Sequence, residues 1–348
     1  MDRLATIRPY RLGHDTEEAC RLEAAAFTED YRRMGEDPRL ESKRERNMER
    51  LIVWISRAIP ALRLSRLGYV VEQDRRMASI VLFARDGLKG TCWSIDAVGT
   101  HPDFQRRGLA KRLLGRVFES IREHGGESCT LKVRRDNAAA YRLYQALGFT
   151  HFHTSHQMRR VGGSTKKGRA SHVDGLGSID QGAWYALWRE RLALSVRTTP
   201  SHVLEYKPVA ESDFRRSWLI RVLGPWAMKL GGCRFSQWIV RKEGRLVATL
   251  RTRADLTGNR SHEIRLSIDP DWRSELADPL VQMACDYLEK FASKGTLIEV
   301  GGQETALLNA LTDKGFEDIS VWHWLGVSVD QAIEALREHE SGLDNVTV

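Results

Sequence analysis

Ile95-Asp96-Ala97-Val98-Gly99-Thr100-His101-Pro102-Asp103-Phe104-Gln105-Arg106-Arg107-Gly108-Leu109-Ala110-Lys111-Arg112-Leu113-Leu114 is the stretch on which the fold turns. It opens as an apolar strand, Pro102 bounds a turn, and a helix begins at Gln105-Arg106-Arg107-Gly108-Leu109-Ala110. The small residues at 108 and 110 let a ligand come close to the backbone. A helix start presents unpaired N–H groups and a partial positive charge, and both favour a phosphate. Arg106, Arg107 and Lys111 add fixed positive charge at the same place. The spacing is neither that of a Walker loop nor that of a GxGxxG fingerprint.

A second segment follows in order. Leu131-Lys132-Val133 reads as a short strand, leading into Asn137-Ala138-Ala139-Ala140-Tyr141-Arg142-Leu143-Tyr144-Gln145-Ala146-Leu147-Gly148-Phe149. Together the two segments resemble the core motifs of the GNAT superfamily of N-acetyltransferases. The first motif, Gln or Arg, two residues, Gly, one residue, then Gly or Ala, is met by Gln105, Gly108 and Ala110. The second, an Asn, a Tyr seven residues later and a closing Gly-Phe, is met by Asn137, Tyr144, Gly148 and Phe149. The resemblance implies an α/β fold (an α+β mixed sheet) and acetyl-CoA as cosubstrate. It implies that Gln105, Arg106, Arg107, Gly108, Leu109, Ala110 and Lys111 take the pyrophosphate. It further implies that Val98, Gly99 and Thr100 bond the pantetheine arm, which Asn137 and Ala140 help to hold, and that Tyr144 protonates the departing thiolate.

The chemistry itself needs no protein nucleophile, because an amine can attack a thioester carbonyl directly. The enzyme must align two substrates, polarise the carbonyl and manage protons. A splayed strand with a free N–H near Val98 could stabilise the oxyanion. Asp96, on the same strand, is the candidate base, directly or through water; a structural role for it is equally open.

Working outward, the chain reads as two copies of one pattern. Leu67–Glu72 and Met77–Phe83 form a strand pair in the first half, and Gln237–Arg241 and Leu246–Leu250 form one in the second. A third strand follows in each, Trp93–Thr100 and Glu263–Ile268, and each ends in a Pro-Asp-aromatic tripeptide, Pro102-Asp103-Phe104 and Pro270-Asp271-Trp272. Each copy then continues through a long helix, a short strand and a second helix to a Gly-Phe pair. The offset is 168 from Pro to Pro and 167 from Gly148 to Gly315, which indicates a tandem duplication. The expected division is an active GNAT domain over 1–160, a flexible linker and bridging helix over 161–200, and a GNAT-like domain over 201–348. The linker is the Gly- and Ser-rich run from Gly162, and the bridging helix spans Ile179–Val196.

The second copy departs from the motifs. Leu276 stands for Gly108, Glu275 and Asp278 bring negative charge to the phosphate position, and Pro279 follows. Glu304 stands for Asn137 and Leu311 for Tyr144. That copy is expected neither to bind acetyl-CoA nor to catalyse. The first copy carries about 31 extra residues between Phe27 and Arg66, including an Arg/Glu-rich helical stretch over 41–59. The resemblance implies that this region covers the acceptor side, which makes Tyr31, Arg32, Arg33 and Trp54 candidates for acceptor contact.

Composition sets the frame. The 348 residues, 42% hydrophobic and 29% charged, suit two domains at roughly 100–200 residues each. Residues 1–160 hold 30 Lys and Arg against 21 Asp and Glu, a net +9, whereas residues 181–348 hold 21 against 23, a net −2. The phosphate cradle accounts for part of this basic excess, so nucleic acid is not expected as a partner. No apolar run reaches the roughly 18 residues of a spanning helix, and MDRLATIRPYRL lacks a signal core. The expected place is the cytoplasm, with no membrane partner and room for a homodimer. Cys20, Cys92, Cys129, Cys233 and Cys285 are scattered, so neither a disulfide framework nor a metal site is expected. His151, His153 and His156 read as strand residues. The acceptor amine stays open between small molecules and peptides. The competing reading is a non-catalytic acyl-CoA-binding or protein-interaction module.

Overall fold

The computed structural model describes residues 5–40, 42–43, 46, 67–86, 90–161, 173–215 and 232–344. Most of the Arg/Glu-rich stretch over 41–59, including Trp54, and residues 162–172 of the Gly- and Ser-rich linker that runs to Ser178 lie outside these residues. The fold is mixed α/β, and the chain divides into two compact units. The first holds Met1–Arg32, Asp37–Phe152 and His323–Val348; the second holds Arg33–Glu36 and His153–Trp322.

In the first unit the strands are β1 (Thr6–Pro9), β2 (Leu67–Gln73), β3 (Arg76–Arg85), β4 (Cys92–Thr100) and β5 (Ser128–Arg134). They lie side by side in that order and the sheet continues into β12 (Glu317–Ser328). The pairs β1–β2, β2–β3 and β3–β4 are antiparallel, and β4–β5 is parallel. Asp74 and Arg75 both take positive φ, 54° and 61°, the conformation a tight hairpin requires between right-twisted strands. On one face lie α1 (Thr16–Ala26) and the start of α2 (Thr28–Met34). Leu22 of α1 comes so close to Gly99 that a Cβ there would stand 2.8 Å from its Cδ2, so any larger residue would make the Leu22 side chain shift.

The other face is covered by α3 (Leu109–Glu123) and α4 (Ala138–Ala146). Leu109, Leu113, Leu114, Val117, Phe118 and Ile121 recur at helical spacing and are all buried against Val81, Phe83, Trp93 and Ile95. Burying each such side chain contributes about 1.5–3 kcal/mol.

The second unit repeats the plan. Its strands run in the order β6 (Thr150–Arg160), β11 (Thr296–Gly301), β10 (His262–Ile268), β9 (Arg245–Asp255), β8 (Cys233–Lys242) and β7 (Leu176–Ile179). The β8–β9 turn again has two positive φ values, Glu243 at 52° and Gly244 at 76°. The expected single bridging helix is two, α5 (Gln181–Ala186) and α6 (Trp188–Thr198), meeting at Leu187. Its first expected residue, Ile179, is instead the end of β7, because Asp180 caps α5 by accepting from the Ala183 N–H at 2.8 Å. Short α7 (Ser201–Tyr206) and α8 (Glu211–Phe214) follow, then α9 (Arg273–Leu288) and α10 (Thr305–Asp313).

The units do not follow the contiguous division 1–160 and 201–348. The strand that closes each copy's sequence motif finishes in the other unit. β6 starts in the first unit, where the Thr150 hydroxyl donates to the Gly326 carbonyl at 3.2 Å, and then pairs with β11 from Ser155 to Arg160. Its Met158 is buried in the second unit's core. β12 makes the reverse passage: its Leu325 and Val327 are buried in the first unit's core. The chain ends in α11 (Val329–Asp344), whose Val329, Ala332 and Ile333 join the same core. The first unit therefore takes a strand and a helix from the far end of the chain, a choice set by which edge buries Leu325 and Val327.

Candidate active site

Strand β4 carries a bulge. Leu82 pairs with Ala97 and Phe83 with Ile95, so Asp96 is the extra residue. Ile95 and Val98 both pack toward the α3 face with two residues between them, which leaves Asp96 and Ala97 off that face. Ala97 packs beside Leu22, and Asp96 is exposed, accepting from the Ser94 hydroxyl at 2.9 Å. Parallel pairing with β5 ends at Ile95–Leu131, although both strands continue. The His101 N–H bonds Ala78 of β3, so by alternation the N–H groups of Val98 and Thr100 point away from β3, toward the opening beyond Ile95.

Beyond β4, Pro102–Phe104 form one turn of 3₁₀ helix, and four residues separate it from α3. Arg106 and Gly108 both take positive φ, 60° and 73°. Side chains are strained in that region, and Gly108 avoids the strain at the residue that starts α3. Among the described residues nothing lies within 4 Å of where its Cβ would be, which leaves the space in front of the helix open. Among the described residues, the N–H groups of residues 106–111 have no acceptor. The Gln105 amide donates to the Thr100 carbonyl at 3.4 Å and ties the loop to β4. Arg107 donates to the Asp103 carbonyl at 3.0 Å and lies over Phe104. Leu109 is buried and anchors the helix, whereas Ala110 and Lys111 are half-buried. The result is a row of open donors with cationic side chains beside them, a ready anion cradle.

Asn137 caps α4: its side-chain oxygen accepts from the Ala140 N–H at 3.1 Å. At the other end Gly148, at φ 82°, closes a Schellman turn, in which Gly148 N–H donates to Gln145 at 3.0 Å and Phe149 N–H to Tyr144 at 3.1 Å. Tyr144 is buried, and its hydroxyl has no hydrogen-bond partner among the described residues. Burial, with a smaller contribution from Cys129, pushes its pKa well up, so the phenol keeps its proton through the neutral range.

The second unit differs at each of these points. The β9–β10 register runs without a shift, so there is no bulge. Helix α9 starts at Arg273, directly after Pro270–Trp272, so the four residues that make the open loop in the first unit are wound into helix. Arg273 donates to the Ile268 carbonyl at 3.4 Å, the contact that Gln105 makes with Thr100. Glu275 and Asp278 are paired with Lys242 at 3.0 Å and Lys314 at 2.9 Å. Leu311 is fully buried, and Glu304 lies 3.8 Å from Arg273. Burial raises the Glu304 pKa and Arg273 opposes that rise.

Of the remaining candidates, Arg32 pairs with Glu29 at 2.8 Å and Arg33 donates to the Ile319 carbonyl at 3.4 Å, while Tyr31 is half-buried. His151 lies 3.0 Å from His323, and His156 lies 2.9 Å from the Asp318 carboxylate. No group of three or more His, Cys, Asp or Glu among the described residues is placed to hold a metal ion. The five cysteines are buried thiols. No helix among the described residues is long and apolar enough to cross a membrane.

Residues 24–149 match the family model described as "Acetyltransferase (GNAT) family". The chain thus carries a GNAT acetyltransferase domain. An 83-residue stretch is 44% identical to the "[Ribosomal protein bS18]-alanine N-acetyltransferase" of Salmonella typhimurium, covering 24% of this chain and 54% of that protein. A 114-residue stretch is 32% identical to the tRNA(Met) cytidine acetyltransferase TmcA of Aeropyrum pernix, covering 32% of this chain and 16% of that one. The chain spans about half or less of the length of these curated relatives. Among solved structures, a "Tandem GNAT protein from the clavulanic acid biosynthesis pathway" is similar over 94% of this chain and 99% of its own, at a TM-score of 0.61 and 14% identity. A GCN5-related N-acetyltransferase from Sphaerobacter thermophilus is similar over 93% and 96%, at 0.60 and 15%. At these identities the likeness is one of fold.

Proposed function

We propose that the first unit transfers an acetyl group from acetyl-CoA to a primary amine of a small molecule or peptide in a ternary complex, and that the second unit has lost both cofactor binding and catalysis. The observation that carries this reading is the open donor row from Arg106 to Lys111, in front of a left-handed Gly108. It suits a pyrophosphate in chemistry and shape. Acetyl-CoA supplies an activated acyl group as a thioester. Gln105, Arg106, Arg107, Gly108, Leu109, Ala110 and Lys111 hold the phosphates; the backbone of Val98, Gly99 and Thr100 holds the arm, assisted by Asn137 and Ala140.

Proton management falls to two side chains. Asp96, directly or through water, takes a proton from the acceptor ammonium, freeing its lone pair for the carbonyl carbon. The Val98 N–H donates to the carbonyl oxygen as charge builds on it. As the new N–C bond forms and the C–S bond breaks, the nitrogen gives up its second proton to solvent, Tyr144 gives its proton to the sulfur, and its phenol is replenished from solvent. A phenol held protonated suits that role. Free-thiol release with a panel of amines tests the reading. Turnover is expected with at least one amine, and Tyr144→Phe should lower kcat by about 100-fold or more while leaving acetyl-CoA affinity nearly unchanged. Acetyl-CoA binding without turnover on any amine would favour a non-catalytic module instead.

A further inference from the structure

We propose that the second unit binds a free amino acid with an aromatic side chain in a cleft between α9 and β8, where Asp286 receives its ammonium and Lys290 its carboxylate. The site lies wholly in the second unit and is independent of the reading of the first as an acetyltransferase. The cleft has a volume of about 360 Å³, room for one molecule of that size. Trp238, Met283 and Tyr287 line it with apolar surface, and Gln282, Asp286 and Lys290 supply polar groups.

The aromatic wall is held in place. The Tyr287 hydroxyl is hydrogen-bonded to the Ser236 hydroxyl. Trp238 meets the Tyr287 ring edge to face at 5.0 Å, and Phe291 packs on it at 5.6 Å with planes tilted by 60°. A flat ring can therefore pack against side chains that are already ordered. The charges at the rim do not neutralise each other. On a helix, an acidic residue four positions before a basic one ordinarily pairs with it. Here the Asp286 carboxylate accepts from the Gln282 amide at 2.7 Å. Lys290, two residues past the end of α9, sets its ammonium 5.4 Å from the Tyr287 ring centroid. Among the described residues neither makes an ion pair. Gln282 is 5% exposed, and its side-chain oxygen has no donor among the described residues. An ammonium entering beside Asp286 would supply one.

The first unit has no such groups at the matching positions. At the offset of 168, Gln282 stands for Leu114 and Asp286 for Phe118, both fully buried in the first unit's core. Met283 stands for Gly115, where a Cβ would lie 3.4 Å from Leu336, so α11 stands against α3 at that point. The helix face that the first unit fills with Leu and Phe thus carries an amide and a carboxylate beside a cleft. The cleft offers two aromatic rings to a flat apolar body, an anion to an ammonium and a cation to a carboxylate. An aromatic amino acid carries all three groups, whereas an amine without the carboxylate, or an acid without the amine, leaves one charge unmatched.

Calorimetric titration of the full chain tests the site with L-tryptophan, L-phenylalanine, tryptamine, indole-3-propionate and L-alanine. L-Tryptophan or L-phenylalanine should bind with a Kd of about 1 mM or tighter. The other three should bind at least about tenfold more weakly. Asp286→Asn should remove the advantage of tryptophan over indole-3-propionate, and Lys290→Gln its advantage over tryptamine. Trp238→Leu should weaken binding of the aromatic amino acids by about tenfold or more. Circular dichroism reports the fold of each variant. Asp286 and Lys290 are exposed, so their variants decide the outcome even where Trp238→Leu does not fold. No binding of either aromatic amino acid at about 5 mM would overturn the proposal. So would equal or tighter binding of tryptamine or indole-3-propionate, or discrimination that survives both Asp286→Asn and Lys290→Gln.

Discussion

Tyr144 and Phe149 meet edge to face, ring centroids 5.7 Å apart and planes at 63°, across the turn in which the Phe149 N–H bonds the Tyr144 carbonyl. One turn thereby ends helix α4 and fixes the ring that is the candidate proton donor. Phe149 is 3% exposed, so truncation leaves a cavity beside Tyr144. Phe149→Ala should destabilise the first unit by about 3–5 kcal/mol, read by thermal or denaturant unfolding. The milder Phe149→Leu should keep the fold, hold acetyl-CoA affinity within about twofold, and lower kcat by about tenfold as the phenol loses its fixed position.

Gly108 separates strain from binding. Its φ of 73° disfavours any side chain, yet the space around it is open. Gly108→Ala should therefore cost only about 1–2 kcal/mol of stability. Gly108→Glu should cost a similar amount but place a carboxylate before the open N–H row, weakening acetyl-CoA binding far more than the fold. Paired unfolding and binding measurements on both variants distinguish the two effects.

The crossing of β6 and β12 makes the first unit depend on the end of the chain. Leu325, Val327, Val329, Ala332 and Ile333 lie in its core. A chain cut after residue 160 should fail to fold cooperatively, whereas a permuted chain that supplies residues 317–344 to the first unit should recover a single unfolding transition. Circular dichroism and calorimetric scans read the outcome.

Glu304 gives a pH-dependent prediction. Its pKa is raised above 4.5 in the folded chain, chiefly by burial, so its charged form is disfavoured there relative to the unfolded chain. This destabilises the fold at neutral pH, and the destabilisation fades as pH falls through the folded pKa toward the unfolded value of 4.5. Glu304→Gln should raise Tm near pH 7 by about 2–4 °C, with the gain shrinking as the solution is acidified.

Much of this was legible in the sequence because it rests on local rules. The Gly-Phe pairs are Schellman turns in both units: Phe316 bonds Leu311 as Phe149 bonds Tyr144. The Pro-Asp-aromatic tripeptides are 3₁₀ turns, and the strands from 67 to 100 lie where alternation puts them. What the sequence did not reveal is long-range. Alternation gives β6 and β12 a buried face each but does not say which sheet edge each joins. The Asp96 bulge is a property of register, visible only when β3 and β4 are paired. The acidic residues of the second copy read as a repulsive patch; in the fold Lys242 and Lys314 match them, and the wound helix start is the larger change.

On the function proposed above, one unit keeps the cofactor cradle and the other has lost it. Calorimetric titration of the full chain with acetyl-CoA distinguishes one cradle from two. One binding event per chain, abolished by Gly108→Glu in a variant that remains folded, is the expected result. Two events per chain, or undiminished binding by Gly108→Glu, would contradict the account.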